Sequence, residues 1–134
     1  MSVINDVLHA VIGMINDTQP YANVVIGAMP ADNSLACAIS TGASEGTFLN
    51  KEMPYQFSMV LNGKHHNQRT VSDTLNDIHQ VLTQSTTYPA TDAYQITDIE
   101  TESSPSYIGR EENKQYLYGS ALRVRFFYKK GASS

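Results

Sequence analysis

The segment Tyr116 to Lys129 alternates apolar and polar residues almost without interruption, and it constrains the fold more than anything else in the chain. Tyr116, Tyr118, Ser120, Leu122, Val124, Phe126 and Tyr128 fall on one face; Leu117, Gly119, Ala121, Arg123, Arg125, Phe127 and Lys129 fall on the other. A period of two marks a strand with one buried face. At about 3.3 Å per residue the segment would reach roughly 46 Å, whereas a compact domain of 134 residues is only about 36 Å across. Such a strand either bends, with Gly119 the natural place because no side chain opposes a bulge, or projects at one end and pairs with another molecule. Length alone therefore points to assembly rather than catalysis.

The rest of the chain supplies two helices and short strands to accompany it. Val3, Ile4, Val7, Leu8, Val11, Met14 and Ile15 recur at three- and four-residue steps, predicting an amphipathic helix with Ser2 as N-cap that ends before Pro20. Apolar runs at Asn23–Met29, Leu35–Ser40 and Tyr55–Leu61 read as strands, with Pro30–Ser34 and Gly42–Gly46 as their connecting turns. After Gly63 the period becomes helical: Val71, Leu75, Ile78 and Leu82 form one stripe, which predicts a second helix from near Asn67 to about Gln84. A strand at Gln95–Thr101 and a long turn at Ser103–Lys114 precede the terminal strand. The order α-β-β-β-α-β-β implies an α+β domain, an antiparallel sheet of four to five strands with both helices on one face. The domain spans residues 1–130, and 131–134 form a tail.

Composition removes several function classes. A formal charge of −4 argues against a dedicated nucleic-acid reader, whose affinity rests on phosphate neutralisation. No segment approaches the roughly 20 apolar residues that span a bilayer, and Val7–Ile15 lacks the basic flank and cleavage site of a signal peptide, so neither export nor membrane anchoring is expected. The single cysteine, Cys37, permits no intrachain disulfide and fits a reducing interior.

Candidate reactive groups do not assemble into a motif. Cys37 lies among Ala36, Ala38 and Ile39 and reads as a small buried hydrophobe rather than a nucleophile. His65 and His66 are adjacent, so on extended chain they point to opposite sides and chelate poorly. His79 borders the apolar stripe of the second helix. Asp98, Glu100, Glu102, Glu111 and Glu112 form an acidic set whose spacing matches no calcium loop; a solvated turn is the expected reading. No phosphate loop, dinucleotide fingerprint, nucleophile elbow or HExxH occurs, and no cofactor or metal is expected. A small hydrolase or ligand-binding protein using Cys37, His79 and Asp73 is the distant alternative.

Three blocks carry a family resemblance: Met29–Ala36; Tyr55–Lys64 followed by Asn67–Ile78; and Ser104–Tyr128. Together they resemble the minor capsid proteins of tailed bacteriophages and prophages of Gram-positive bacteria, which are similar to tail terminators. The resemblance covers most of the chain and implies a non-enzymatic virion protein. Such a protein is made in the host cytoplasm and forms a ring, usually of six subunits, on the head-proximal end of the tail tube. The ring stops tube polymerisation and joins tube to head, so the implied partners are other copies, the tube protein and the head–tail connector. DNA would pass through the lumen without specific binding, which a weakly acidic chain suits. A head-completion or minor capsid connector protein is the alternative within the virion.

For contacts between subunits or with partners, the sequence directs attention to the segment from Pro105 to Lys114. Pro105, Tyr107, Arg110, Glu111, Glu112 and Lys114 combine charge and aromatic surface outside the expected core. Arg123 and Arg125, on the outward face of the last strand, read either as a solvated sheet surface or guarded edge, or as interface residues that pair with carboxylates such as Glu111 and Glu112 of a neighbouring subunit. The loop Gly42–Asn50 is expected to touch the tube or connector.

Overall fold

Backbone pairing between two long antiparallel strands organises the molecule, and a computed structural model describes it over residues 3–29, 32–44 and 52–129. The elements are α1 (Val3–Asp17), β1 (Val24–Ile26), β2 (Ser34–Ser44), β3 (Glu52–His65), α2 (Gln68–Thr83), β4 (Tyr94–Arg110) and β5 (Tyr116–Lys129). Their order is the one expected from periodicity. The five strands form one sheet in the order β1-β2-β3-β5-β4, antiparallel except for β1, which lies parallel to β2 through Val24–Ile26 against Leu35–Cys37.

β5 occupies the interior of this sheet, so it offers no free pairing edge. It pairs with β3 from Tyr116 opposite His65 to Lys129 opposite Glu52 without a register break, and β4 accompanies it on the other side from Arg110 to Tyr94. Neither a bend at Gly119 nor a projecting end is therefore needed. The irregularities fall on β4, which shifts register against β5 at four places between Ile96 and Gly109. Gly119 has a different role: a Cβ there would lie 2.6 Å from Ile108 Cδ1 and 3.0 Å from Asn62 Oδ1, so the bare backbone makes room for Ile108 to lie across it.

The segment expected to be a long turn after Ser103 is mostly strand, since β4 continues to Arg110. Its polar sequence, Ser103-Ser104-Pro105-Ser106, conceals this because strand propensity is weak there; the partner β5 supplies the template instead. Pro105 falls in the register gap between Ser103 and Ser106, on an edge strand where its missing N–H breaks little of the ladder. β2 likewise runs through Gly42 to Ser44, where a turn was expected. The rest of that turn, the Ser2 cap, Pro30, Ala31 and the terminal tail lie outside the described residues.

One face of the sheet and both helices share a single core. Val7, Leu8, Val11 and Ile15 of α1 and Val71, Leu75, Ile78 and Leu82 of α2 meet Phe57, Met59 and Leu61 of β3 and Leu122, Val124 and Phe126 of β5. Asn67 caps α2, its Oδ1 accepting from Thr70 N at 3.2 Å. α1 stops where Thr18 Oγ1 donates to the Ile15 carbonyl at 2.7 Å and Gln19 takes φ 58° ahead of Pro20. Gly63 sits where α2, β2 and the Tyr21 loop converge.

His79, expected at the border of the α2 stripe, is buried instead. Its Nδ1 lies 2.9 Å from Thr101 Oγ1 on β4, while Nε2 has no partner among the described residues. Burial lowers its pKa to about 4. An unfolded chain protonates this imidazole near its ordinary value of 6.5, so the folded state is disfavoured progressively as pH falls from there toward 4.

Two outcomes follow from this packing. In acid denaturation series, stability drops by roughly 3 kcal/mol more in the wild type than in His79→Leu between pH 7 and pH 4, because only the wild type must discharge a buried imidazole. Gly63→Ala places a Cβ 2.8 Å from Leu35 Cδ2 and 2.9 Å from both Tyr21 Oη and Val71 Cγ2, and lowers stability by about 1–3 kcal/mol in urea unfolding.

Candidate assembly surface

The sheet face turned away from the helices carries a ladder of ion pairs. Arg123 and Arg125 project from β5 on this face, and the alternation of Asp98, Glu100 and Glu102 on β4 brings their carboxylates beside them. Arg125 reaches Asp98 Oδ2 through Nη1 and Glu100 Oε1 through Nη2, both at 3.0 Å. Arg123 reaches Glu100 Oε1 through Nη1 at 3.3 Å and Glu102 Oε1 through Nη2 at 3.2 Å. Glu102 also accepts from the Ser58 hydroxyl, extending the network to β3. Hydrogen bonding from Arg125 to Glu100, together with both neighbouring carboxylates, raises the guanidinium pKa.

Arg123 and Arg125, expected as interface residues, have carboxylate partners within their own chain. Their partners are in cis, on β4. Glu111 is itself held by Lys64 of the same chain, Nζ to Oε1 at 3.4 Å. The reason is register: Asp98 stands opposite Arg125 and Glu100 opposite Arg123, close enough for direct contact across one strand spacing.

The turn joining β4 to β5 is a hydrogen-bonded corner. Glu111 N donates to the Gln115 carbonyl at 2.9 Å, Lys114 N to the Glu111 carbonyl at 2.8 Å, and Lys114 takes φ 69°. Gln115 is fully buried and ties the corner to the start of β2: its Oε1 accepts from Asn33 N at 2.6 Å, and its Nε2 donates to Asp32 Oδ1 at 2.8 Å. Asn113 Nδ2 adds a bond to the same Asp32 oxygen at 3.3 Å. Sequence reasoning missed Gln115, since nothing in a single polar residue near a turn announces complete burial.

Around this corner the expected contact residues are partly assembled. Tyr107 is 52% exposed and meets the Tyr118 ring edge-on at 5.8 Å. The Arg110 guanidinium lies 5.0 Å above the centroid of Tyr116. Ile108, next to Tyr107, is 56% exposed. Glu112 and Lys114 are exposed, and Pro105 is half-buried. Beside them, an open depression of about 580 Å³ is lined by Tyr116, Tyr118 and the start of α2 from His66 to Arg69. Loop Gly42–Asn50 falls largely outside the described residues.

The reactive-group candidates stay apart. Cys37 is buried in β2, and burial pushes its thiol up to about 11, far from a thiolate nucleophile. Asp73 faces Arg69 at 3.5 Å, and His79 faces Thr101. His65 accepts from Asn67 N at 2.9 Å and meets Tyr21 edge-on at 4.8 Å; burial, then the neighbouring His66 charge, lowers its pKa. Among the described residues no group of three or more His, Cys, Asp or Glu side chains is placed to hold a metal.

No family model and no curated protein matches the chain. Among solved structures, its fold is similar to that of a chain in the virion of a native gene transfer agent particle. That likeness has a TM-score of 0.53 at 8% identity and covers 87% of this chain and 84% of the other.

The ladder has a measurable signature. Arg123→Met leaves Glu100 and Glu102 facing each other with one fewer cation. It lowers stability by about 1 kcal/mol at low ionic strength, and the difference shrinks as salt is added.

Proposed function

We propose that this chain is a structural protein of a tailed-phage or phage-like virion, acting as a tail terminator that forms a ring on the head-proximal end of the tail tube. The observation that carries the reading is the fold likeness to a chain of a gene transfer agent virion over nearly the whole domain. The blocks that resemble phage minor capsid and terminator proteins add to it. Reactive candidates that are buried or paired elsewhere suit a protein that works by contact, and a formal charge of −4 suits a channel through which DNA slides.

In this reading the corner between the end of β4 and the start of β5 meets the tube or connector. Tyr107, Arg110, Glu112 and Lys114 present aromatic and charged groups there, a composition common at binding hot spots. The test is addition of the purified chain to polymerising tail-tube protein. Capped tubes of shortened length, with extra density at one end, are expected; tubes that grow unchanged would refute the terminator role. Tyr107→Ala combined with Lys114→Glu reduces capping by at least about tenfold, with stability within about 1 kcal/mol of wild type, because both side chains are largely solvent-facing.

A further inference from the structure

We propose that copies of this chain join edge to edge through their sheets, with β4 of one copy over Asp98–Ser103 pairing antiparallel with β2 of the next over Ala38–Ala43. The inference rests on the ring reading above and names the contact through which the copies join.

Both edges are uncovered among the described residues. β1 shields only Leu35–Cys37 of β2, its last bond being Gly27 N to the Cys37 carbonyl at 2.9 Å. On the far side of the sheet, residues Pro89–Thr91 fold back over the start of β4, with Ile96 N donating to the Pro89 carbonyl at 3.2 Å and Ala90 bridging Gln95. Past that point β4 has no outer strand among the described residues.

The two uncovered stretches stand at the same height. Through the registers of β3 and β5, Ala38 shares a row with Val60, Ala121 and Ser103, and Thr41 shares one with Ser58, Arg123 and Glu100. The strands alternate in direction across β2, β3, β5 and β4, so β2 and β4 run oppositely. A second sheet set beside the first therefore meets it antiparallel with no slide along the strands. Different surfaces on the two copies make the contact head-to-tail, and absence of a slide favours closure into a ring over an open helix.

Neither edge is guarded in the usual way. Sheet edges commonly carry charges or prolines that repel a second strand. Ala38–Ala43 contains neither. On β4, Asp98, Glu100 and Glu102 are drawn back over β5 onto Arg123 and Arg125, which removes their guarding charge from the edge. Of the four irregularities of β4, the one that falls inside Asp98–Ser103, at Glu102, lies within one row of the β2 bulge at Ser40, so the kinks of the two paired stretches coincide.

The experiment uses the full chain in light scattering across a concentration series, with Gly42→Pro and Thr101→Pro as edge blocks, because the alternation set by Gly27 N on the Cys37 carbonyl turns the N–H groups of these two residues out of the sheet. Wild type is expected to form a closed oligomer, and each block to weaken self-association by about tenfold or more. An equimolar mixture of the two blocks should form a heterodimer and nothing larger, since each retains one working edge. As a second readout that survives a proline that unfolds the sheet, Ser40→Cys and Glu102→Cys combined in one chain should cross-link into covalent multimers under mild oxidation. Neither single cysteine should do so. Oligomers that persist in both proline variants and give no cross-link would overturn edge pairing while leaving the ring reading intact. Dimers from Ser40→Cys alone would mean two-fold β2 pairing and would also overturn it. A wild type that stays monomeric at every concentration excludes edge pairing, and tube capping then decides the ring reading separately.

Discussion

The unbroken pairing of β3 with β5 is the constraint on which the rest of the molecule depends. Because every residue of one strand has a partner on the other, the alternation of each sequence is locked to the other's. A slip of one residue in β3 would send Phe57, Met59 and Leu61 outward and leave the helices facing Gln56 and Ser58. Aromatic contacts hold the register from the core side: Phe126 meets Tyr55 at 5.6 Å and Phe57 at 6.1 Å. Each fully buried aromatic or aliphatic side chain contributes about 1.5–3 kcal/mol, more than a half-exposed ion pair supplies. The core face therefore sets the register, and the arginine ladder on the outer face reports it.

That hierarchy explains what the sequence made legible. α2 and β5 were readable almost to the residue because their periods are long and their apolar stripes wide. β3 was readable in its apolar half, but its ends, Glu52–Pro54 and Asn62–His65, are strand because β5, and at Asn62–Lys64 also β2, pairs with them. The far half of β4 is hidden for the same reason. A run of serines around a proline has no local preference for strand, and its conformation is imposed by a partner beyond the turn.

The candidate surface was legible in composition but not in connectivity. Arg123 and Arg125 share a period of two with Asp98, Glu100 and Glu102, which the sequence offered only as an acidic set in a solvated turn. What it could not supply was the sheet order that puts β4 directly beside β5. With the sheet order known, the nearer carboxylates take the arginines, and Glu111 is left for Lys64. Gln115 shows the opposite limit: its bonds to Asp32 and Asn33 cross more than eighty residues of chain, and no local pattern encodes them.

The strand order also bears on how the chain comes together as it is made. β2 and β3 are neighbours in sequence, as are β4 and β5, so each pair closes as a local hairpin at small entropic cost. β3 must instead wait for β5, with α2 and all of β4 synthesised between them. Until then the inner edge of β3 stands exposed beside a half-built apolar face, the kind of surface that draws nascent chains into aggregates. The joining of the two hairpins is the non-local, slow event of folding. α2, forming quickly over the apolar face of β3, shields that face during the wait.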